Sequence, residues 1–181
     1  MKKSLLILSF IVAGYALHAQ EEVRTNAIKL NPLSLFFLTG NISYEKAVGE
    51  NQSIQIGGFY SGFSLSGLKY SGFGIIPEYR FYFAGQKVAL NGVYAAPFLR
   101  YQSFSLTETE TDSKASFSSI GGGAVVGWEK TWSSGFVLNL FAGPSYNSGT
   151  VKSNDGQSEF DVTSAINGFG LRSGVTLGFA F

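Results

Sequence analysis

The sequence predicts an all-β fold, an eight-stranded antiparallel up-and-down transmembrane β-barrel occupying residues 20–181. Three observations carry this. Apolar and polar residues alternate through most of the chain, which is the strand period. The polar faces are dominated by Gly, Ala and Ser with isolated Glu and Arg. That suits a narrow, crowded interior, whereas a soluble sandwich would place Lys, Glu and Thr on its polar face. Short turns also alternate with longer polar loops, the habit of barrels whose short side faces the periplasm. No run of about 18 apolar residues follows residue 19, so no spanning helix is expected.

The expected strands are 26–36, 40–48, 53–63, 72–83, 91–105, 116–132, 135–150 and 166–181. The first is the least regular, because Pro32 interrupts it and Leu33 to Leu38 is almost wholly apolar. The fourth is the clearest. Phe73, Ile75, Pro77, Tyr79, Phe81 and Phe83 share one face, and Gly74, Ile76, Glu78, Arg80 and Tyr82 share the other. The fifth sets Val93, Ala95, Pro97, Leu99 and Tyr101 against Tyr94, Ala96, Phe98 and Arg100. The seventh and eighth repeat the pattern, with Phe136, Leu138 and Leu140 against Val137, Asn139 and Phe141, and Leu177, Phe179 and Phe181 against Gly178 and Ala180. Short turns are expected at Gly49-Glu50-Asn51-Gln52, Gly85-Gln86-Lys87 and Ser133-Ser134-Gly135, with longer loops near 106–115 and 152–165. Gly121-Gly122-Gly123 lies within a strand, with no phosphate-binding signature after it. It reads as a bend or a close strand contact.

Alternation assigns Glu45, Glu78, Arg80, Arg100, Glu129 and Arg172 to the lumen. An eight-stranded interior is just wide enough for side chains, and unpaired charge there is costly. The six are therefore expected to form an ion-pair network, with Arg forks holding carboxylates. Aromatics are expected in two belts at the membrane interfaces: Tyr44, Phe83, Trp132, Phe136 and Phe181 near the short turns, and Tyr60, Phe73, Tyr101 and Tyr146 near the long loops. Loop acids cluster at Glu108, Glu110 and Asp112 and at Asp155, Glu159 and Asp161. Their spacing matches no defined calcium loop, so they read as solvated.

Phe181, preceded by alternating apolar residues, resembles the C-terminal signal read by the outer-membrane barrel assembly machinery. More broadly, the chain resembles the small eight-stranded outer-membrane barrels of Gram-negative bacteria. It is similar in particular to a family of unknown function whose members carry an Asn near the first strand, a Tyr-Glu strand end and a Pro-Glu-x-Arg strand. Here these are Asn31, Tyr44-Glu45 and Pro77-Glu78-Tyr79-Arg80. The resemblance implies a fold, an outer-membrane location, and outer-membrane lipids and the assembly machinery as partners. It implies no activity. A structural, surface-interaction or envelope-maintenance role is the first expectation. A narrow channel or small-solute transporter is the second, and a soluble lipocalin-like carrier with its aromatic faces turned inward is the third.

Other classes fall to composition. The chain has no Cys and one His, His18, so no disulfide scaffold, thiol catalysis or zinc ribbon is expected. A formal net charge of +1 lacks the basic footprint of a nucleic-acid binder. Residues 1–19 read as a cleaved signal peptide, with Lys2 and Lys3 as the basic start, Leu5 to Leu17 as the apolar core, and Leu17-His18-Ala19 before the cut. Cleavage removes the only His, and with it Ser-His-Asp catalysis and His-based metal sites. No enzyme activity, cofactor or metal is expected. Intact-mass measurement of the exported protein should find Gln20 as its first residue.

Overall fold

The computed structural model describes residues 24–65, 68–108, 114–153 and 167–181. Among these, eight strands form a closed barrel in which each strand pairs with its neighbour in sequence and the first pairs with the last. They are β1 (Asn26–Leu30), β2 (Thr39–Gly49), β3 (Gln52–Leu65), β4 (Leu68–Val88), β5 (Asn91–Glu108), β6 (Lys114–Thr131), β7 (Phe136–Ser153) and β8 (Gly168–Ala180). Every pairing is antiparallel. Closure gives β1 and β8 partners on both sides over their four shared residue pairs, which removes the exposed edge there.

The alternation in sequence becomes inside and outside. Along β4, Gly72, Gly74, Ile76, Glu78, Arg80 and Tyr82 are buried, while Phe73, Ile75, Pro77, Phe81 and Phe83 are exposed. The same holds for Val137, Asn139 and Ser145 of β7 against Phe136, Leu140 and Tyr146. The soluble-carrier expectation needed the aromatic faces inward. They face outward, so that expectation is corrected. Inside, glycines let bulky neighbours fit. A Cβ on Gly123 would stand 2.2 Å from the Pro144 carbonyl oxygen, and one on Gly127 would stand 2.4 Å from the Tyr94 ring. The triple-glycine stretch is thus a place of close strand approach.

Two expectations at strand ends need correction. The first strand stops at Leu30 instead of running to residue 36. Pro32–Phe37 forms a 3-10 helical segment, because the Asn31 side chain accepts hydrogen bonds from the Leu33 and Ser34 backbone N–H groups and Pro stands at its start. Leu38, at φ 53°, closes it in the left-handed region. The expected turn at Gly85-Gln86-Lys87 is instead part of β4, which runs on to Val88 through two register irregularities. Gly85, at φ 81°, belongs to this irregular stretch, and the chain reverses at Ala89-Leu90.

The strands are unequal. β4 has 21 residues and β5 to β7 have 18 each, but β1 has only 5. β1 meets β8 over four residue pairs, from Ala27 opposite Ala180 to Leu30 opposite Leu177. Above Leu177, β8 keeps its partner β7 as far as Gly168, but no described strand covers its other side.

Gly143→Ala should destabilise the fold, since the new Cβ would sit 2.0 Å from the Ala124 carbonyl oxygen, a backbone atom. The expected cost is about 1–3 kcal/mol, read from denaturant unfolding followed by tryptophan fluorescence. Gly40→Ala, whose Cβ would meet nothing nearer than 3.9 Å, should leave the midpoint close to wild type.

Candidate functional site: a charged lumen beneath a polar cavity

The lumen is layered. At the short-turn end, Ala27, Leu90, Val137 and Ala180 pack as a small apolar floor. Above it sits a charged layer that β1, β2, β4 and β6 build together. Arg80 of β4 is fully buried. Its Nη1 donates to Glu45 Oε2 at 2.8 Å and to Glu129 Oε2 at 2.7 Å, while its Nε donates to Glu78 Oε1 at 2.6 Å. The Lys29 ammonium ion also bridges Glu45 and Glu129, the latter at 2.7 Å. Arg172 of β8 closes the chain of pairs by donating to Glu78 Oε2 at 2.7 Å.

Neutral groups add to this layer, in which Arg80 Nη2 and Glu129 Oε1 have no hydrogen-bond partner among the described residues. Tyr82 and Ser53 donate hydroxyl hydrogen bonds to Glu45 Oε1. Tyr94 donates to Asn139 Oδ1 at 2.9 Å, and Asn139 donates to Thr176. The Arg80 guanidinium lies 4.4 Å from the centre of the Tyr94 ring. Arg172 lies between two rings, 4.3 Å from Phe98 and 4.8 Å from Phe141. Three carboxylates thus meet three cations and balance them, while aromatic rings cover the Arg80 and Arg172 guanidinium faces.

Of the six expected lumen charges, Glu45, Glu78, Arg80, Glu129 and Arg172 come together. Arg100 does not join them. It donates to Asn147 Oδ1 at 2.7 Å, and among the described residues it has no carboxylate partner. Alternation places a residue inside but says nothing of its height, and Arg100 stands farther from the short turns than the ion pairs do. Lys29 is the member that sequence reading missed. Its signal was present, since Ala27 and Lys29 alternate with Ile28 and Leu30, but the irregular first strand masked it.

Above the charged layer lies a cavity of about 430 Å³. Ile76, Phe141, Arg172 and Thr176 line its lower part, and Phe59, Tyr70 and Phe104 form an aromatic wall on one side. Asn31, Asn41, Ser43, Gln55, Ser61 and Arg100 supply polar groups. The expected belt aromatics Tyr44, Phe83, Trp132, Phe136, Phe181, Tyr60, Phe73, Tyr101 and Tyr146 all stand exposed on the outer surface. The acids Glu110, Asp112, Asp155, Glu159 and Asp161 lie outside the described residues, as do residues 1–19.

Glu45→Gln should be severely destabilising, because it leaves Lys29 and Arg80 short of a buried counter-charge. The expected loss is about 3–5 kcal/mol. Arg100→Gln removes no ion pair and should cost about 1 kcal/mol or less. Unfolding midpoints of the two variants under one denaturant series check both.

The fold has a solved counterpart. A major outer membrane protein from Thermus thermophilus superimposes with a TM-score of 0.50 at 14% identity, covering 88% of this chain and 100% of that one. Acinetobacter baumannii CarO2 gives 0.44 at 12% identity, covering 87% and 98%. Among curated proteins, no sequence matches the chain. The fold is thus shared with an outer membrane protein of very different sequence. Residues 5–161 match the family described as "Protein of unknown function (DUF3575)", and the chain belongs to that family.

Proposed function

We propose that the protein is an integral outer-membrane barrel that serves as a structural or surface-interacting element of the envelope, with its lumen sealed by the Lys29, Glu45, Glu78, Arg80, Glu129 and Arg172 cluster. The observation that carries this is the inversion of the molecule. Phe, Tyr, Leu and Ile cover the outside, while the buried charges sit in the centre. Water would penalise such a large contiguous apolar exterior, whereas hydrocarbon surroundings favour it. The Thermus counterpart is an outer membrane protein, which supports the same location, and the signal peptide expected at residues 1–19 supplies a route to it.

The seal follows from charge and width. Ions crossing the lumen must pass Arg80, which is held by three carboxylates at once, and opening that point would strand buried charges. The role is thus one of a stable wall presenting loops.

Cell fractionation combined with gel migration of boiled and unboiled samples tests the reading. Extraction only with detergent, together with a heat-dependent mobility shift, is the expected result. Release into buffer with no shift would overturn it. In planar bilayers the wild-type protein should show no steady conductance. A wild-type barrel that already conducts would overturn the seal.

A further inference from the structure

The wall of the barrel has a notch. β1 ends at Leu30, and β8 continues above Leu177 with no described strand on its β1 side. The 3-10 segment Pro32–Phe37 lies between β1 and β2, next to this free edge. Asn31, at its start, has its Nδ2 only 3.2 Å from where a Cβ on Gly174 of β8 would be. The cavity above the charged layer reaches this notch. Its lining includes Leu171 and Ser173, which are exposed on the outer side of β8, as well as Asn31, Thr39 and Asn41 on the other side. The cavity therefore communicates sideways through the wall.

Two chemistries meet there. Inside, Arg100 and Arg172 line the same space. Arg100 has no carboxylate partner among the described residues, and its Nε is buried without a hydrogen bond. Gln55, 5% exposed, has its Oε1 buried and unpartnered in the same cavity. Outside, the rim is strongly apolar. Phe36 is 83%, Phe37 79%, Phe169 90% and Leu171 76% exposed. An open sheet edge facing hydrocarbon leaves backbone groups unpaired, so such an edge is tolerated only beside a polar, occupied or water-lined space.

We propose that the notch is a lateral docking site for an anionic membrane lipid. The headgroup phosphate enters the cavity and is held by the Arg100 guanidinium, with Gln55 accepting from a headgroup hydroxyl. The acyl chains stay outside, against Leu171, Phe169 and the 3-10 segment. Charge complementarity selects the occupant: a neutral solute would leave the Arg100 guanidinium without a counter-charge. The polar lining suits a headgroup, and the apolar rim suits its chains. The site is blind, because the charged layer closes it below. The inference rests on the membrane reading above.

Native mass spectrometry of the detergent-folded protein tests it, with phosphatidylglycerol, phosphatidylcholine and inorganic phosphate as the probes. One saturable phosphatidylglycerol adduct, preferred over phosphatidylcholine, is expected. Arg100→Gln should weaken it roughly tenfold, the worth of one charge-assisted hydrogen bond, and Leu171→Gln should weaken it as well. Equal retention of both lipids, an adduct unchanged in Arg100→Gln, or displacement by millimolar inorganic phosphate would overturn the proposal, the last pointing to a free-anion site. Heat-dependent gel migration of each sample keeps the two readings separate. A shifted band without a lipid adduct defeats the docking site alone, and a wild-type protein with no shift defeats the membrane barrel.

Discussion

Arg80 is the residue around which the interior is organised. One guanidinium reaches carboxylates from its own strand and from β2 and β6, each two strands away around the barrel on either side. A closed barrel of eight strands has little room for water, so each charge it encloses must be balanced by protein groups. That constraint explains the composition of the surrounding layer. Lys29 supplies the second bridge between Glu45 and Glu129. Tyr82 and Ser53 take up one Glu45 oxygen, and Tyr94 covers the guanidinium face. Each of these groups comes from a different point on the circumference, so pairing the charges also ties the strands together across the lumen. Buried ion pairs are weak evidence for net stability, but a wrong strand register would leave several of them unpaired at once.

The two ends of the barrel differ because the strands differ in length. At the short-turn end the apolar floor and the charged layer fill the lumen. Towards the long loops, aromatic rings from β3 to β5 crowd one side, while the side formed by β1, β2 and β8 is low and open. Pro32 is central to this. It cannot donate to a strand ladder, and with Asn31 capping the following N–H groups the chain turns into a 3-10 segment. The feature that ends β1 early therefore also places Asn31 at the cavity and leaves Phe36 and Phe37 on the rim. A local backbone preference sets the shape of the wall.

Inside and outside were legible from the chain alone. Period-two alternation assigned Glu78, Arg80 and Tyr82 to one face of β4 and Phe81 and Phe83 to the other, and strand geometry allows no other arrangement once the strand is granted. Glycine and serine on the inner face were legible for the same reason, since a narrow lumen excludes bulk where rings must fit, as at Gly127 beside Tyr94. Pro32 warned that the first strand was irregular without saying what would replace it.

What the sequence determined by itself is which residues face inward, because that depends only on the local two-residue repeat. Which inward residues touch depends on register, strand tilt and closure, and these are properties of all eight strands together. Arg80 and Arg100 are both inward, and nothing local separates them. Only the closed barrel sets one among three carboxylates and the other opposite Asn147, at a different height. Only the barrel brings Lys29 and Glu129 within 2.7 Å, from strands 100 residues apart. The notch was likewise decided in three dimensions, because it arises where a five-residue β1 meets a β8 that continues past it.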